Sequence, residues 1–130
     1  MTAELSRRLP ALLVVDDEER ILSALQRTLR REGYEVVTSE SAQTALAILE
    51  ERSVDMILSD QKMPGMSGLQ FLAEAAKRCP GARRMLITGW TEEIPRLTLE
   101  ELGIFALITK PWDDTQLKET LRRASQPDAL

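Results

Sequence analysis

The sequence predicts an α/β fold in which helices pack on both faces of a parallel β-sheet. Strand-like and helix-like segments alternate about five times along the chain, which is typical of repeated strand–helix–strand units. The first strand candidate is an unbroken apolar run from Leu12 to Val15, as expected of a strand that is buried on both faces. The length of 130 residues suits a single domain with a core of its own.

The strand candidates are short runs separated by segments with helical periodicity. In chain order they cover residues 12–15, 35–38, 56–59, 84–87 and 105–108. The first helix candidate repeats apolar residues at positions 21, 22, 25 and 29, and Gly33 is its predicted stop. Ser41 and Ser67 are the predicted N-caps of the second and third helices, and the last helix is predicted to start near Asp113 or Asp114.

The fourth helix is predicted to be short. Pro95 lacks the N–H that a helix interior needs, so it is expected at the first helical position, where that loss costs nothing. The helix then covers residues 95–102, and Thr91 is rejected as its cap. We expect the loop from Gly89 to Ile94 to be long and to move with this helix.

Composition excludes several classes of protein. The net charge of −4 argues against nucleic acid as a direct partner, and no apolar stretch is long enough to cross a membrane. Cys79 is the only cysteine, which excludes an internal disulfide and favours a reducing, cytoplasmic location. Residues 1–9 are expected to form a flexible leader without a secretory signal, residues 10–124 the domain, and residues 125–130 a tail or the start of a linker.

Polar residues directly follow four of the five strand candidates. Asp16 and Asp17 follow the first run, Asp60 the third, Thr88 the fourth and Lys110 the fifth. Chemistry in a parallel α/β sheet gathers beyond the carboxyl ends of the strands, so these side chains are expected to meet at one edge. Such a set can hold a divalent cation and handle a phosphoryl group.

Each of these residues also has a simpler interpretation when it is taken alone. The acidic run that begins at Asp16 suits a helix N-terminus, and Asp60 suits a turn before a Pro-Gly loop. Thr88 could be an ordinary strand residue and Lys110 a solvated lysine. Their common position at strand ends favours a site, in which Asp17 and Asp60 supply carboxylates to Mg²⁺ and one carboxylate attacks phosphorus.

Taken together, these motifs resemble a response-regulator receiver domain over about residues 10–124. The matching residues are Asp16-Asp17, Asp60 ahead of Met63-Pro64-Gly65, Thr88-Gly89 and Lys110-Pro111. The resemblance implies a doubly wound, five-stranded sheet with strand order 2-1-3-4-5.

The resemblance also assigns the phosphoryl chemistry. Asp60 would accept a phosphoryl group from a histidine kinase, Thr88 would hydrogen-bond that group, and Lys110 would pair with it. The domain would assist its own phosphorylation and dephosphorylation without turning over an external substrate. Phosphorylation would switch a surface for an output domain or downstream protein, and a phosphorylation-dependent homodimer is left open.

The metal ligands follow from the same resemblance. Asp17, Asp60 and the backbone carbonyl of Lys62 would hold Mg²⁺, with Asp16 acting through a water molecule. Neither a nucleotide nor any other organic cofactor is implied.

The sequence departs from the receiver pattern at Leu107. Receivers usually carry Tyr or Phe three residues before the lysine, so the usual aromatic switch is in doubt here. Phe105 shares the sheet face of Leu107 by parity, but it cannot be assumed to replace the ring. The segment from Lys110 to Asp114 resembles receivers that precede HD-GYP phosphodiesterase or sigma-54 activator outputs.

Three alternatives remain beside the receiver interpretation. A haloacid-dehalogenase-type phosphatase would need an aspartate at the position of Lys62, and a nucleotide-binding module would need a glycine-rich turn between Asp16 and Arg20. A pseudo-receiver, which acts as an interaction module without phosphorylation, would not need the complete set of site residues found here.

Overall fold

The computed structural model describes residues 9–89 and 94–126. Most of the predicted leader, the end of the predicted tail, and Trp90 and Thr91 lie outside these residues. The five strands are β1 (Ala11–Val15), β2 (Glu35–Ser39), β3 (Met56–Asp60), β4 (Arg83–Gly89) and β5 (Ala106–Lys110). The five helices of the described chain are α1 (Glu19–Leu29), α2 (Ala42–Glu51), α3 (Gly68–Arg78), α4 (Arg96–Glu101) and α5 (Asp114–Ala124).

The strands form one parallel sheet in the order β2-β1-β3-β4-β5, which confirms the predicted topology. The register pairs Val15 of β1 with Ser59 of β3, and Asp60 with Ile87 of β4. Gly89 of β4 lies opposite Lys110 of β5. The carboxyl ends of β1, β3, β4 and β5 therefore lie side by side at one edge of the sheet.

Two hydrophobic cores cover the two faces of the sheet. Alternate residues of β1 enter different cores, since side chains in a strand point to opposite faces in turn. Leu13 and Val15 pack with α2 and α3, whereas Leu12 and Val14 pack with α1 and α5. This double burial explains the unbroken apolar run of β1 and confirms that helices cover both faces.

The observed starts of the helices agree with the positions predicted from the sequence more closely than the observed ends do. The hydroxyls of Ser41 and Ser67 each accept a backbone N–H in the first turn of α2 and α3, as predicted. Helix α5 starts at Asp114, within the predicted range, and the carboxylate of Asp113 accepts the N–H of Gln116. Gly33 is not the stop of α1, because the helix ends at Leu29 and the next residues form a tight turn. Gly33 closes that turn with a positive φ of 89°, a conformation that glycine adopts readily.

Helix α4 is short, and it starts one residue later than predicted. Pro95 is its N-cap, with a φ of −59° and a ψ of 137°, so Arg96 is the first helical residue. No residue of α4 is buried, and the side chain of Leu97 is 64% exposed. Leu99 of α4 is partly buried and packs against the hydrophobic core. The Arg84 guanidinium also donates a 2.7 Å hydrogen bond to the carbonyl of Leu102, just after the helix.

Strand boundaries also differ from the sequence prediction, most of all in β4 and β5. Strand β4 continues to Gly89, so Thr88 belongs to the strand and does not follow it. Strand β5 begins at Ala106, so Phe105 precedes it, and Lys110 is its last residue. Parallel pairing between β4 and β5 extends both strands beyond their apolar residues. Within residues 9–89 and 94–126, every helix is too short or too polar to cross a membrane.

Candidate functional site

The register of the sheet brings Asp16, Asp60 and Lys110 into contact. Asp16 follows β1 directly, while Asp60 and Lys110 are the last residues of β3 and β5. The lysine Nζ lies 3.0 Å from Oδ2 of Asp16 and 3.1 Å from Oδ1 of Asp60. One ammonium therefore bridges two carboxylates that are far apart in the sequence.

All three groups are shielded from water. The side chain of Asp16 is 1% exposed, that of Asp60 is 7% exposed, and that of Lys110 is 20% exposed. A charge removed from water interacts more strongly with its neighbours, because little solvent screens it. The bridge by Lys110 is therefore a central part of the site and differs from a solvated surface ion pair.

The pKa of Asp60 is raised above its ordinary value. Burial is the largest cause, and the negative charge of Asp16 adds to it, while Lys110 and the backbone N–H of Gln61 act in the opposite direction. The pKa of Lys110 is also raised: burial lowers it, but the carboxylates of Asp16 and Asp60 outweigh that effect. The lysine is held protonated, and the negative charge on Asp60 is only partly compensated.

Asp17 completes an acidic cluster at the same edge. Asp16, Asp17 and Asp60 each offer a carboxylate oxygen, and these three oxygens lie within 4.8 Å of one another. Asp17 is exposed to solvent, in contrast to the two buried aspartates. Oδ1 of Asp16 also accepts the N–H of Glu18 at 2.8 Å. Asp16 therefore shapes the start of α1, as the simpler interpretation of the acidic run predicted, and faces the site as well.

Thr88 and Lys62 lie at the same end of the sheet as the cluster. Thr88 is 2% exposed in β4, one residue beyond the residue that pairs with Asp60. Within the described part of the chain, no hydrogen bond joins its hydroxyl to Asp60 or Lys110. Lys62 is exposed in the loop two residues after Asp60.

Sequence reasoning missed Gln61 and Gly68, which join the β3–α3 loop to helix α3. The carbonyl of Gln61 accepts the N–H of Gly68 at 2.9 Å, and its side-chain oxygen accepts the N–H of Leu69 at 2.9 Å. A Cβ at Gly68 would lie 2.2 Å from the Asp60 carbonyl oxygen, so only glycine fits there. A glycine at the first helical position was a signal for Gly68, whereas the sequence held no signal for Gln61.

The two apolar residues near β5 have different surroundings. Leu107 is 42% exposed in the strand. Phe105 lies before the strand, and the guanidinium carbon of Arg83 is 4.8 Å from the centre of its ring. That contact is at the amino end of β4, away from Lys110. Phe105 therefore cannot take the place of the missing aromatic residue.

Several known proteins with similar sequences are transcriptional regulators. The hydrogenase transcriptional regulatory protein HoxA of Cupriavidus necator is 40% identical over 127 residues, which cover 97% of this chain and 26% of HoxA. The transcriptional regulatory protein GlrR of Escherichia coli is 35% identical over 118 residues, which cover 91% of this chain and 27% of GlrR. The chain thus spans about a quarter of the length of these relatives.

Solved structures and a family model lead to the same group of proteins. The signal receiver domain of an HD domain-containing protein from Pseudomonas fluorescens has a TM-score of 0.83 at 35% identity, with 90% of this chain and 94% of that chain covered. The model of the response regulator receiver domain matches residues 12–122. This match decides against the phosphatase and nucleotide-binding alternatives. The chain belongs to the response-regulator receiver family and is a receiver domain of two-component signalling.

Proposed function

We propose that Asp60 accepts a phosphoryl group from the phosphohistidine of a histidine kinase. A carboxylate oxygen of Asp60 attacks phosphorus, the new O–P bond replaces the P–N bond, and the imidazole leaves. The observation that carries the proposal is the meeting of Asp60 with Asp16 and Lys110 at the carboxyl edge of the sheet. A pseudo-receiver would not need this arrangement, and no feature of the site favours that alternative.

Lys110 is suited to hold the incoming phosphoryl group. Its ammonium already contacts Oδ1 of Asp60, so it lies beside the oxygen atoms of any group that binds there. A lysine pairs with phosphate as a point charge through three donors that can rotate. On phosphorylation we expect Lys110 to exchange its contact with Asp60 for one with the phosphoryl group. The buried hydroxyl of Thr88 is a candidate for a second hydrogen bond to that group.

The acidic cluster has the chemistry of a magnesium site. Mg²⁺ takes oxygen ligands, and it is usually held by one or two carboxylates together with water and phosphate oxygens. Asp17 and Asp60 would supply these carboxylates, Asp16 would act through water, and the Lys62 carbonyl would complete the set. The raised pKa of Asp60 supports this assignment, because burial, together with the negative charge of Asp16, outweighs the attraction of Lys110, and a bound cation would relieve that imbalance. When bound, Mg²⁺ would neutralise charge on the phosphoryl oxygens.

The signal would pass to an output domain or to a separate protein. Exposed apolar side chains on α4 and β5, Leu97 and Leu107, support a protein contact on this side of the domain. The relatives named above are regulators about four times as long as this chain, which supports an output segment in the whole protein.

Phosphorylation from a small donor tests the proposal directly. Wild-type protein, Asp60→Asn and Asp55→Asn are incubated with acetyl phosphate and Mg²⁺, and the intact mass is measured. Asp55 precedes β3, and its carboxylate accepts the N–H of Ala11 at 2.7 Å, a contact that asparagine can keep. Wild type and Asp55→Asn should gain the mass of one phosphoryl group, and Asp60→Asn should not. Labelling of Asp60→Asn at the wild-type rate would refute the assignment.

A further inference from the structure

Gln61 links the two ends of the loop between β3 and α3, which follows Asp60 and contains Lys62. Its backbone N–H donates to the carbonyl of Ile87 in β4 at 3.1 Å. Its own carbonyl accepts the N–H of Gly68 at 2.9 Å, and its side-chain oxygen accepts the N–H of Leu69 at 2.9 Å. A single residue thus joins the end of β3 to the neighbouring strand and to the start of helix α3.

These contacts complete the N-terminus of α3, where backbone N–H groups have no partner within the helix. The capping box uses two of them, since Ser67 Oγ accepts the N–H of Gln70, and Gln70 Oε1 accepts the N–H of Ser67. The remaining two, on Gly68 and Leu69, donate to Gln61. Half of the helix start is therefore held by the residue that directly follows Asp60.

We propose that Gln61 is a positioning residue for the phosphorylation site and sets the affinity for Mg²⁺. This inference rests on the proposed function. Gln61 lies between Asp60 and Lys62, so a change in its backbone displaces the aspartate and the lysine carbonyl together. Gly68 packs against the Asp60 carbonyl without room for a side chain, which fixes the same strand end from the other side. Because Mg²⁺ demands near-ideal octahedral geometry, small displacements of its ligands weaken binding.

The alternative is that the Gln61 side chain only caps the helix. Capping would contribute to the stability of α3 without any effect on the metal ligands. Gln61→Met and Ser67→Ala distinguish these roles, because each removes one acceptor from the same helix end. Methionine keeps the length of glutamine but offers no oxygen to the N–H of Leu69. Alanine at position 67 removes the oxygen that accepts the N–H of Gln70, and it lies farther along the chain from Asp60.

Mg²⁺ affinity by titration calorimetry and melting temperature in EDTA are measured for both variants. Both should melt at lower temperature than wild type, because each loses a hydrogen bond at the helix start. Gln61→Met should also bind Mg²⁺ more weakly, with about fivefold as the upper limit, because that factor corresponds to the whole free energy of one net hydrogen bond. Ser67→Ala should bind Mg²⁺ as wild type does. Unchanged affinity in Gln61→Met, or an equal loss in Ser67→Ala, would overturn the inference.

Gln61→Glu should restore the side-chain oxygen that Gln61→Met removes. Its carboxylate can accept the N–H of Leu69, so hydrogen exchange of that amide should be slow again, and Mg²⁺ should bind no more weakly than to wild type. Fast exchange of the Leu69 amide together with weak Mg²⁺ binding in Gln61→Met, but not in Gln61→Glu, is the expected pattern. If Gln61→Glu binds Mg²⁺ as weakly as Gln61→Met, the side-chain oxygen is not responsible.

The proposed function and this inference can fail separately. If wild-type protein binds Mg²⁺ but gains no phosphoryl group on Asp60, the proposed function fails, while the calorimetric comparison still decides the role of Gln61. If wild type is phosphorylated and Gln61→Met binds Mg²⁺ normally, only the inference fails.

Discussion

Replacement of Asp60 by asparagine should stabilise the metal-free domain. The structure holds three carboxylates within 4.8 Å of one another and a single ammonium among them. At an effective dielectric constant of about 20, attraction between Asp60 and Lys110 at 3.1 Å is about 5 kcal/mol. Repulsion from Asp16 within 4.8 Å is about 3.5 kcal/mol on the same basis, and the exposed Asp17 adds a smaller, screened repulsion.

These opposing interactions nearly cancel, so burial decides the sign. The raised pKa of Asp60, for which burial is the largest cause, indicates that the ionised form is disfavoured in the folded state. We therefore expect Asp60→Asn to gain about 1 kcal/mol in the free energy of unfolding, or about 3 to 5 °C in melting temperature for a domain of this size. Asp17→Asn should gain less, because solvent screens the exposed carboxylate.

The pH dependence of this gain follows from proton linkage. The folded protein holds the Asp60 proton more tightly than the unfolded chain, in which the ordinary pKa is 3.8. Between 3.8 and the higher folded-state pKa, the folded state binds more protons, so wild-type stability falls as the pH rises through that window. Asparagine does not titrate. The advantage of Asp60→Asn should be complete above the window and should shrink as the pH falls toward 3.8.

Chemical denaturation in EDTA across this pH range measures the effect. Millimolar Mg²⁺ should reduce the advantage, since the cation binds the folded wild-type site and stabilises it. The reasoning would be refuted if Asp60→Asn were less stable than wild type in EDTA at neutral pH. An advantage that stayed constant down to the ordinary pKa would also count against it.

Two further predictions concern Gly68 at the start of α3 and the response of the loop after β4 to phosphorylation. Gly68→Ala should destabilise the fold by more than about 2 kcal/mol, because the new methyl group would lie 2.2 Å from a backbone carbonyl oxygen. The control is Gly81→Ala, which should change stability by less than about 0.5 kcal/mol, because no atom lies within 4 Å of the added Cβ. Similar melting temperatures for the two variants would contradict the prediction. Beryllofluoride with Mg²⁺ should change Trp90 fluorescence in a Trp112→Phe background, and Thr88→Ala should abolish most of that change while Mg²⁺ still binds. Persistence of the signal without the Thr88 hydroxyl would exclude this route of coupling.

The sequence alone determined the alternation of strands and helices and the position of the candidate site residues at strand ends, while the strand order followed from the resemblance to receiver domains. Apolar periodicity and helix caps depend on residues within a few positions of one another, so the sequence displays them directly. The caps at Ser41 and Ser67 and the start of α5 near Asp113 were predictable for this reason. In a parallel sheet all carboxyl ends share one edge, so the position of Asp16, Asp60 and Lys110 after predicted strands was enough to predict that they lie at the same edge.

Boundaries were less predictable, because pairing with neighbouring strands extends a strand beyond its apolar residues. Thr88 lies inside β4 and Phe105 outside β5, and the sequence pattern marked neither limit. The stop of α1 was misassigned to Gly33, because a tight turn of polar residues separates that glycine from the end of the helix. Pro95 was placed one position too far into α4.

Only the tertiary structure decided how the site residues contact one another. The hydrogen bond from Lys110 to Asp16 joins residues 94 positions apart, and the register of the sheet sets its geometry. Oδ1 of Asp16 accepts the N–H of Glu18 near the start of α1, while Oδ2 accepts a hydrogen bond from Lys110 in the site. The side chain of Gln61 reaches Leu69 across a loop with no periodic pattern. Such contacts depend on where whole elements pack, and a linear pattern of residue types does not contain that information.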